Sequence, residues 1–165
     1  GLSPGVGMAL GARLKGLPFH TWVMLGDGEI QEGQIWEACF TAARYELDNL
    51  TAILDYNRLP QFGWPLTGGF TRSRPIDDPG AKFRAFGWHT VECNGHDHAD
   101  IRRAFQAALA HRGQPVCVIA HTIKGKGVSF MEGDFNWHAK VPTKEQLEQA
   151  LAELGAPGSH NGRES

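Results

Sequence analysis

Gly26-Asp27-Gly28 sets one carboxylate between two residues that carry no side chain. Backbone amides at such a string can approach a ligand closely while the carboxylate points at it. Thirty positions on, Asn57 offers a neutral amide oxygen. One carboxylate, one amide oxygen and a shared phosphate suit octahedral Mg²⁺, which takes few protein ligands. An isolated Gly-Asp-Gly is equally an ordinary turn. Downstream, Lys124-Gly125-Lys126-Gly127 could set ammonium groups and open amides around an anion, although it lacks the Gly-x-x-x-x-Gly-Lys spacing of a nucleotide P-loop. A solvated basic turn is the plainer alternative. His96-Asp97-His98-Ala99-Asp100 has the His-x-His-x-Asp order of some zinc hydrolases, while Asp97 to Asp100 equally makes a helix start. His138, after Trp137, titrates in a range useful for proton or phosphate work. Trp36, Trp88 and Phe40 read as core.

Four apolar runs must carry these groups. Thr21 to Leu25 has the length of a buried strand and stops at Gly26-Asp27-Gly28; Leu50 to Tyr56 is a nearly unbroken apolar strand ending just before Asn57. Trp88 to Cys93 leads to the turn at Asn94-Gly95, and Pro115 opens Val116 to Ala120 before the basic turn. Helices are expected between them. Gly1 to Arg13 has Ser3 as a cap, Pro4 in the first turn and many small residues, which predicts a neighbour packed very close. Gly33 to Leu47 carries Ile35, Trp36, Cys39, Phe40, Ala43 and Leu47 on one face. Asp78 to Phe86 is a short helix, and Ile101, Phe105, Ala108 and Leu109 mark another. Thr143 with Gln146 forms a capping box for a last helix stopped by Gly155. Asn57 to Pro79, rich in Pro and Gly, reads as a long loop. Strands alternating with helices predict an α/β fold, a parallel sheet with helices on both faces. Ligands of such sheets bind beyond the carboxyl ends of the strands, where all four candidate turns fall.

The chain has 165 residues, enough for one core, expected over 1–154 with a flexible tail at 155–165. Lys+Arg 16 against Asp+Glu 18 leaves no basic field for nucleic acid or an anionic membrane, and no apolar stretch approaches the ~20 residues of a membrane span. Three cysteines in apolar segments read as free thiols of a reducing compartment, hence a cytoplasmic protein. The 21 glycines are nearly twice the usual share, and the first residue is Gly with no signal peptide before it, so the domain is expected to be incomplete at its N-terminus.

Taken in order, Gly26-Asp27-Gly28-Glu29-Ile30-Gln31-Glu32-Gly33, Trp36-Glu37-Ala38, Leu47-Asp48-Asn49-Leu50, Asp55-Tyr56-Asn57-Arg58-Leu59, Phe86-Gly87-Trp88, Asn94-Gly95-His96-Asp97, Thr122 to Gly127 and Trp137-His138 closely resemble the diphosphate-binding domain of the transketolase family, from Gly1 to about Pro142. The Trp-Glu-Ala surroundings are closer to transketolase proper than to the deoxyxylulose-phosphate synthases. The resemblance implies thiamine diphosphate held through Mg²⁺ (or Ca²⁺ or Mn²⁺), with Asp27, Asn57 and the Leu59 carbonyl as metal ligands. It implies cofactor contacts from Gly26, Gly28, Gln61, Lys124 and His138, catalytic roles for Lys124 and His138, and Glu32 as the interface carboxylate that communicates with a partner's catalytic Glu. Pro60, the Phe62 to Phe70 stretch and Ala139 depart from the family pattern. In this family a Glu on a second, pyrimidine-binding domain protonates the cofactor, so the resemblance implies a partner C-terminal domain or subunit, in a hetero-oligomer such as a heterotetramer. The expected reaction moves a two-carbon ketol unit from a ketose, such as a sugar phosphate, to an aldehyde. Another thiamine-diphosphate carboligase, an assembly protein without catalysis, and a zinc hydrolase are the alternatives.

Overall fold

The computed structural model describes residues 1–59, 65–66, 69–70 and 77–155. They form two compact units, Gly1–Thr122 and Ile123–Ser165. In the first, four parallel strands, β1 (Thr21–Gly26), β2 (Leu50–Tyr56), β5 (His89–Asn94) and β6 (Val116–His121), lie in the order β1-β2-β6-β5. Two two-residue strands, β3 (Pro65–Leu66) and β4 (Gly69–Phe70), pair antiparallel within the stretch expected as loop.

Alternating side chains of β6 separate two cores. Cys117 and Ile119 join Val23, Leu25, Leu50, Ala52 and Leu54 under helices α1 (Leu2–Leu14), α2 (Gly33–Arg44) and α3 (Pro79–Ala85). Val116, Val118 and Ala120 face the other way, against Ala104 and Ala108 of α4 (His98–Ala110). Helices therefore lie on both faces of a parallel sheet, as the alternation predicts.

Three helices on the first face end alike. In α1, α2 and α3 the residue after the cap is left-handed, Gly16 at φ 63°, Glu46 at φ 49° and Gly87 at φ 81°. The next amide, of Leu17, Leu47 or Trp88, then donates back to the carbonyl of Ala12, Ala42 or Phe83, a Schellman closure. At two of these ends the closing residue goes into the core. Leu47 is fully buried, and Trp88 packs edge-on against Phe83 while its indole N–H donates to the Cys39 carbonyl at 3.0 Å. The sequence pattern runs α2 through Leu47 because a Glu, not a Gly, sits at the reversal.

Other expectations need correction. Gly1, not Ser3, caps α1, and the Ser3 hydroxyl donates to Gln34 Oε1 instead. A Cβ on Gly5 would overlap Val23, so close packing holds there, whereas Gly7 and Gly11 face open space. Phe40 is 66% exposed, because the buried stripe of α2 runs through Ile35, Ala38, Cys39 and Ala42, a turn-angle away. Trp36 is half-buried against Phe83 and Phe86, and Leu109 is exposed on α4. Asp78 caps α3 through Ala81 N–H, and Thr143 with Gln146 caps α5 (Lys144–Glu153) in the expected capping box.

Cys39, Cys93 and Cys117 are free and buried. Burial pushes the Cys39 thiol up to about 12 and raises the other two. All three are expected to react with an aromatic disulfide reagent at pH 8 at least ~100-fold more slowly than a free thiol until denaturant is added, since the thiolate is the nucleophile. A rapid native-state burst would contradict the packing. No helix among the described residues is long and apolar enough to cross a membrane.

Candidate active site

Register fixes which groups share the carboxyl edge. Gly26 pairs with Asp55, Asp55 with Ala120, and Cys93 with Ala120; one step on, Tyr56 and Asn94 both pair with His121. The ends of all four strands are therefore level. The chain runs from β1 to its neighbour β2 in one direction and from β5 to β6 in the other, which puts the change of direction between β2 and β6. Clefts of open α/β sheets form at that point.

Asp27 follows β1 directly and is 8% exposed. The backbone turns at once into a 3-10 segment, Glu29–Gln31, with Gly28 as its cap, while Glu29 Oε2 accepts from the Gly26 N–H at 3.2 Å. A Cβ at Gly26 would meet no atom within 4 Å, so the end of β1 opens onto space beside a buried carboxylate. On β2, Asn57 Oδ1 accepts from the Leu59 N–H at 2.9 Å, across Arg58 held at φ 62°. A non-glycine residue in this left-handed well is strained, and here the strain closes the loop that carries the Asn57 oxygen and the Leu59 carbonyl. The Arg58 guanidinium lies 5.1 Å from the Tyr56 ring centre, and the Tyr56 hydroxyl donates to the Asp77 carbonyl at 3.1 Å. Burial raises the Tyr56 phenol, opposed by Arg58 and reinforced by the charges of Asp77 and Asp27. A buried carboxylate, a carboxamide oxygen and open backbone at adjacent strand ends form a hard-oxygen donor set suited to a divalent cation that shares phosphate oxygens.

Between β2 and β6 the Thr122 hydroxyl donates to Asp55 Oδ1, and between β6 and β5 His121 Nε2 meets Glu92 Oε2 at 2.8 Å. A Cβ on Gly95 would overlap Thr122. The sequence reading includes Asp55 and Thr122 only within longer motifs and gives them no role, and it misses Glu92 and His121. Their signal is the parity of β2, β5 and β6: each lies within one or two residues of its strand's end.

Glu32 is exposed, caps α2 through its backbone position and accepts from Gln34 Nε2 at 3.2 Å. Gln61 lies outside the described residues. Lys124 and His138 belong to the second unit. There Gly125 at φ 70° and Gly127 at φ 90° shape the basic turn, Lys126 Nζ is tied to Glu132 Oε1 at 2.8 Å, and the Lys124 carbonyl accepts from Gly133 N–H at 2.8 Å. Lys126 is thus a structural strut, while Lys124 has no carboxylate partner among the described residues. His138 ends an exposed 3-10 turn, Phe135–His138. The zinc pattern fails on geometry. Asp97 accepts from Ala99 and Asp100 N–H as the α4 cap, and the described residues hold no cluster of three His, Cys, Asp or Glu that could bind a metal.

Residues 14–160 match the family described as transketolase, thiamine diphosphate binding domain. Over 154 residues the chain is 43% identical to an apulose-4-phosphate transketolase subunit of Phocaeicola vulgatus, covering 93% of this chain and 53% of that protein. It is 40% identical over 159 residues to a 6-deoxy-6-sulfo-D-fructose transketolase subunit of a Clostridium species, covering 96% of this chain and 56% of the relative. The chain therefore spans about half the length of these relatives. Its fold superposes on a Campylobacter jejuni transketolase with a TM-score of 0.84 at 27% identity, over 94% of this chain and 25% of that one.

Proposed function

The chain belongs to the thiamine-diphosphate-binding domain family of transketolases, and from that premise we propose that it is the diphosphate-binding part of a two-component transketolase. The reaction is transfer of a two-carbon ketol unit from an anionic ketose, such as a sugar phosphate, to an aldehyde. The observation that carries the reading is buried Asp27 at the end of β1, one strand away from Asn57 at the end of β2.

Asp27, Asn57 and the Leu59 carbonyl would hold the divalent metal, Mg²⁺ with Ca²⁺ or Mn²⁺ as substitutes. The Gly28 amide would contact the diphosphate, with Gly26, Gln61, Lys124 and His138 as further cofactor contacts. Thiamine diphosphate, when bound, supplies the electron sink for making and breaking the bond beside a ketose carbonyl. This chain's part is to fix the diphosphate, to neutralise it through the metal and Lys124, and to keep an imidazole, His138, for proton handling at the substrate. Glu32, exposed at the start of α2, suits a carboxylate contact across to a second component. That component is a pyrimidine-binding protein chain, in keeping with the names of the two relatives above, each of which is one subunit of its transketolase. Buried free thiols fit a cytoplasmic setting.

The test is calorimetry of thiamine diphosphate with Mg²⁺ on the assembled protein, followed by product analysis with ketose phosphates, a sulfonated ketose and pyruvate as donors. Metal-dependent binding with ketol transfer is the expected result. Acyloin products from pyruvate alone would reassign the reaction, and binding without turnover would leave an assembly role.

A further inference from the structure

Lys124 and His138 share one irregular stretch of chain. Between β6 and α5 the only regular element is the 3-10 turn Phe135–His138. Such a stretch holds a side chain in a fixed place only where its backbone is tied to something rigid. Glu132 takes Lys126 Nζ at 2.8 Å and the Gly127 N–H at 3.2 Å, which shapes the basic turn. That carboxylate belongs to the same stretch, so it ties the turn only to itself.

The tie to a regular element comes from α5. Glu153, in the last turn of that helix, accepts from the Ser129 N–H on one carboxylate oxygen and from the Ser129 hydroxyl on the other, the latter at 2.7 Å. Gln149, one turn earlier on the same helix face, donates to Glu153 Oε1 at 2.8 Å. The Ser129 amide first, then the Ser129 hydroxyl and Gln149, hold the Glu153 carboxyl below the usual carboxylate range. It is therefore ionised at neutral pH, and its bonds are charge-assisted. Apolar packing runs alongside: Val128 and Ala150 are buried, and the tip of Leu154 lies beside Gly127.

Ser129 is placed to act on both cofactor contacts. Upstream it follows the basic turn directly, since the Val128 N–H donates to the Gly125 carbonyl at 3.1 Å. Downstream its neighbour Phe130 packs on Trp137 with ring centres 5.2 Å apart, and Trp137 precedes His138. One fixed point thus serves two side chains.

We propose that Ser129 and Glu153 form a clasp through which α5 positions Lys124 and His138 for cofactor binding, with Glu153 as the positioning residue. The inference rests on the cofactor contacts proposed above for those two side chains. Glu153 acts through Ser129, and the metal ligands at Asp27 and Asn57 belong to the other unit. Breaking the clasp therefore lowers cofactor affinity and leaves its metal dependence alone.

The test is calorimetry of thiamine diphosphate with Mg²⁺ on the assembled protein, run beside hydrogen exchange. Glu153→Gln should weaken binding about tenfold, with the Ser129 amide deprotected and the Mg²⁺ dependence unchanged. Ser129→Ala should weaken it less, because its amide still donates to Glu153. The double variant should bind no worse than Glu153→Gln alone, as two groups acting as one require. Ser129→Thr keeps the hydroxyl and should restore nearly full affinity. The Leu147 and Leu154 amides, at the two ends of α5, should keep their protection throughout. If Glu153→Gln frays that helix, Ser129→Ala against Ser129→Thr decides, and equal affinities overturn the clasp. Unchanged affinity in Glu153→Gln, or a Ser129 amide still protected there, would overturn it as well. Lys124→Ala and His138→Ala are the references: if neither weakens binding, the cofactor contacts themselves are misassigned and the clasp falls with them.

Discussion

Asp27→Asn in the assembled protein is expected to weaken Mg²⁺-dependent binding of thiamine diphosphate by about a hundredfold or more. The substitution keeps the shape while removing the charge and exchanging one acceptor oxygen for a donor amide. Asp27 is buried at the end of an otherwise apolar strand, and a carboxylate in that setting is costly to the fold. A ligand that binds the folded state alone adds stability in proportion to the logarithm of its saturation. Mg²⁺ with thiamine diphosphate should thus raise the unfolding midpoint of the unaltered protein and hardly move that of the variant. A full thermal shift in Asp27→Asn would remove the metal from this residue, whatever its effect on turnover.

Much of the architecture was legible because each strand is short, apolar and closed by a distinctive turn. Thr21 to Leu25, one residue short of β1, and Leu50 to Tyr56 read directly from the run of apolar residues, and the Thr143-Gln146 box located α5. Helix ends were harder. Leu47 is buried like a helix-face residue, yet it lies past a left-handed Glu46 whose conformation depends on the Leu47 to Ala42 hydrogen bond and on packing of Leu47 in the core. Aromatic positions misled for a related reason. Helical spacing places Phe40 near the Ile35 stripe, but which residues of a wide stripe meet a sheet depends on how the helix is rolled. At the site, Asp27 and Asn57 each follow a readable apolar run, the family resemblance implied their shared role, and the strand order sets those two run ends side by side. The Thr122–Asp55 and His121–Glu92 pairs were not legible, since their partners are 67 and 29 residues apart and meet through strand order.

Gly125→Ala should be the most damaging single-methyl change in the basic turn. Its φ of 70° already costs a residue with a side chain roughly 1–2 kcal/mol. In addition, the new Cβ would stand 2.6 Å from the carbonyl carbon, carbonyl oxygen and Cβ of Met131. Backbone cannot rotate out of the way as a side-chain tip can, and Met131 is itself fixed by its amide bond to the Val128 carbonyl at 2.9 Å. The total is expected to reach about 3 kcal/mol or more, enough to open the turn locally. Gly127→Ala provides the contrast: its φ is 90°, but the added Cβ meets the flexible end of Leu154 at 3.2 Å, and about 1–2 kcal/mol should cover it. Hydrogen exchange reads the difference directly. The Val128, Met131 and Gly133 amides, which close the turn, should lose protection in Gly125→Ala and largely keep it in Gly127→Ala. Unchanged protection in Gly125→Ala would refute the turn geometry. The functional consequence follows from the lysines. Lys126 is held by Glu132, so opening the turn frees a strut and displaces Lys124, while Asp27 on the other unit is untouched. Affinity for thiamine diphosphate should fall with its Mg²⁺ dependence intact, the opposite of the Asp27→Asn pattern. Loss of the metal dependence itself in Gly125→Ala would mean that the basic turn, not Asp27, governs the cation.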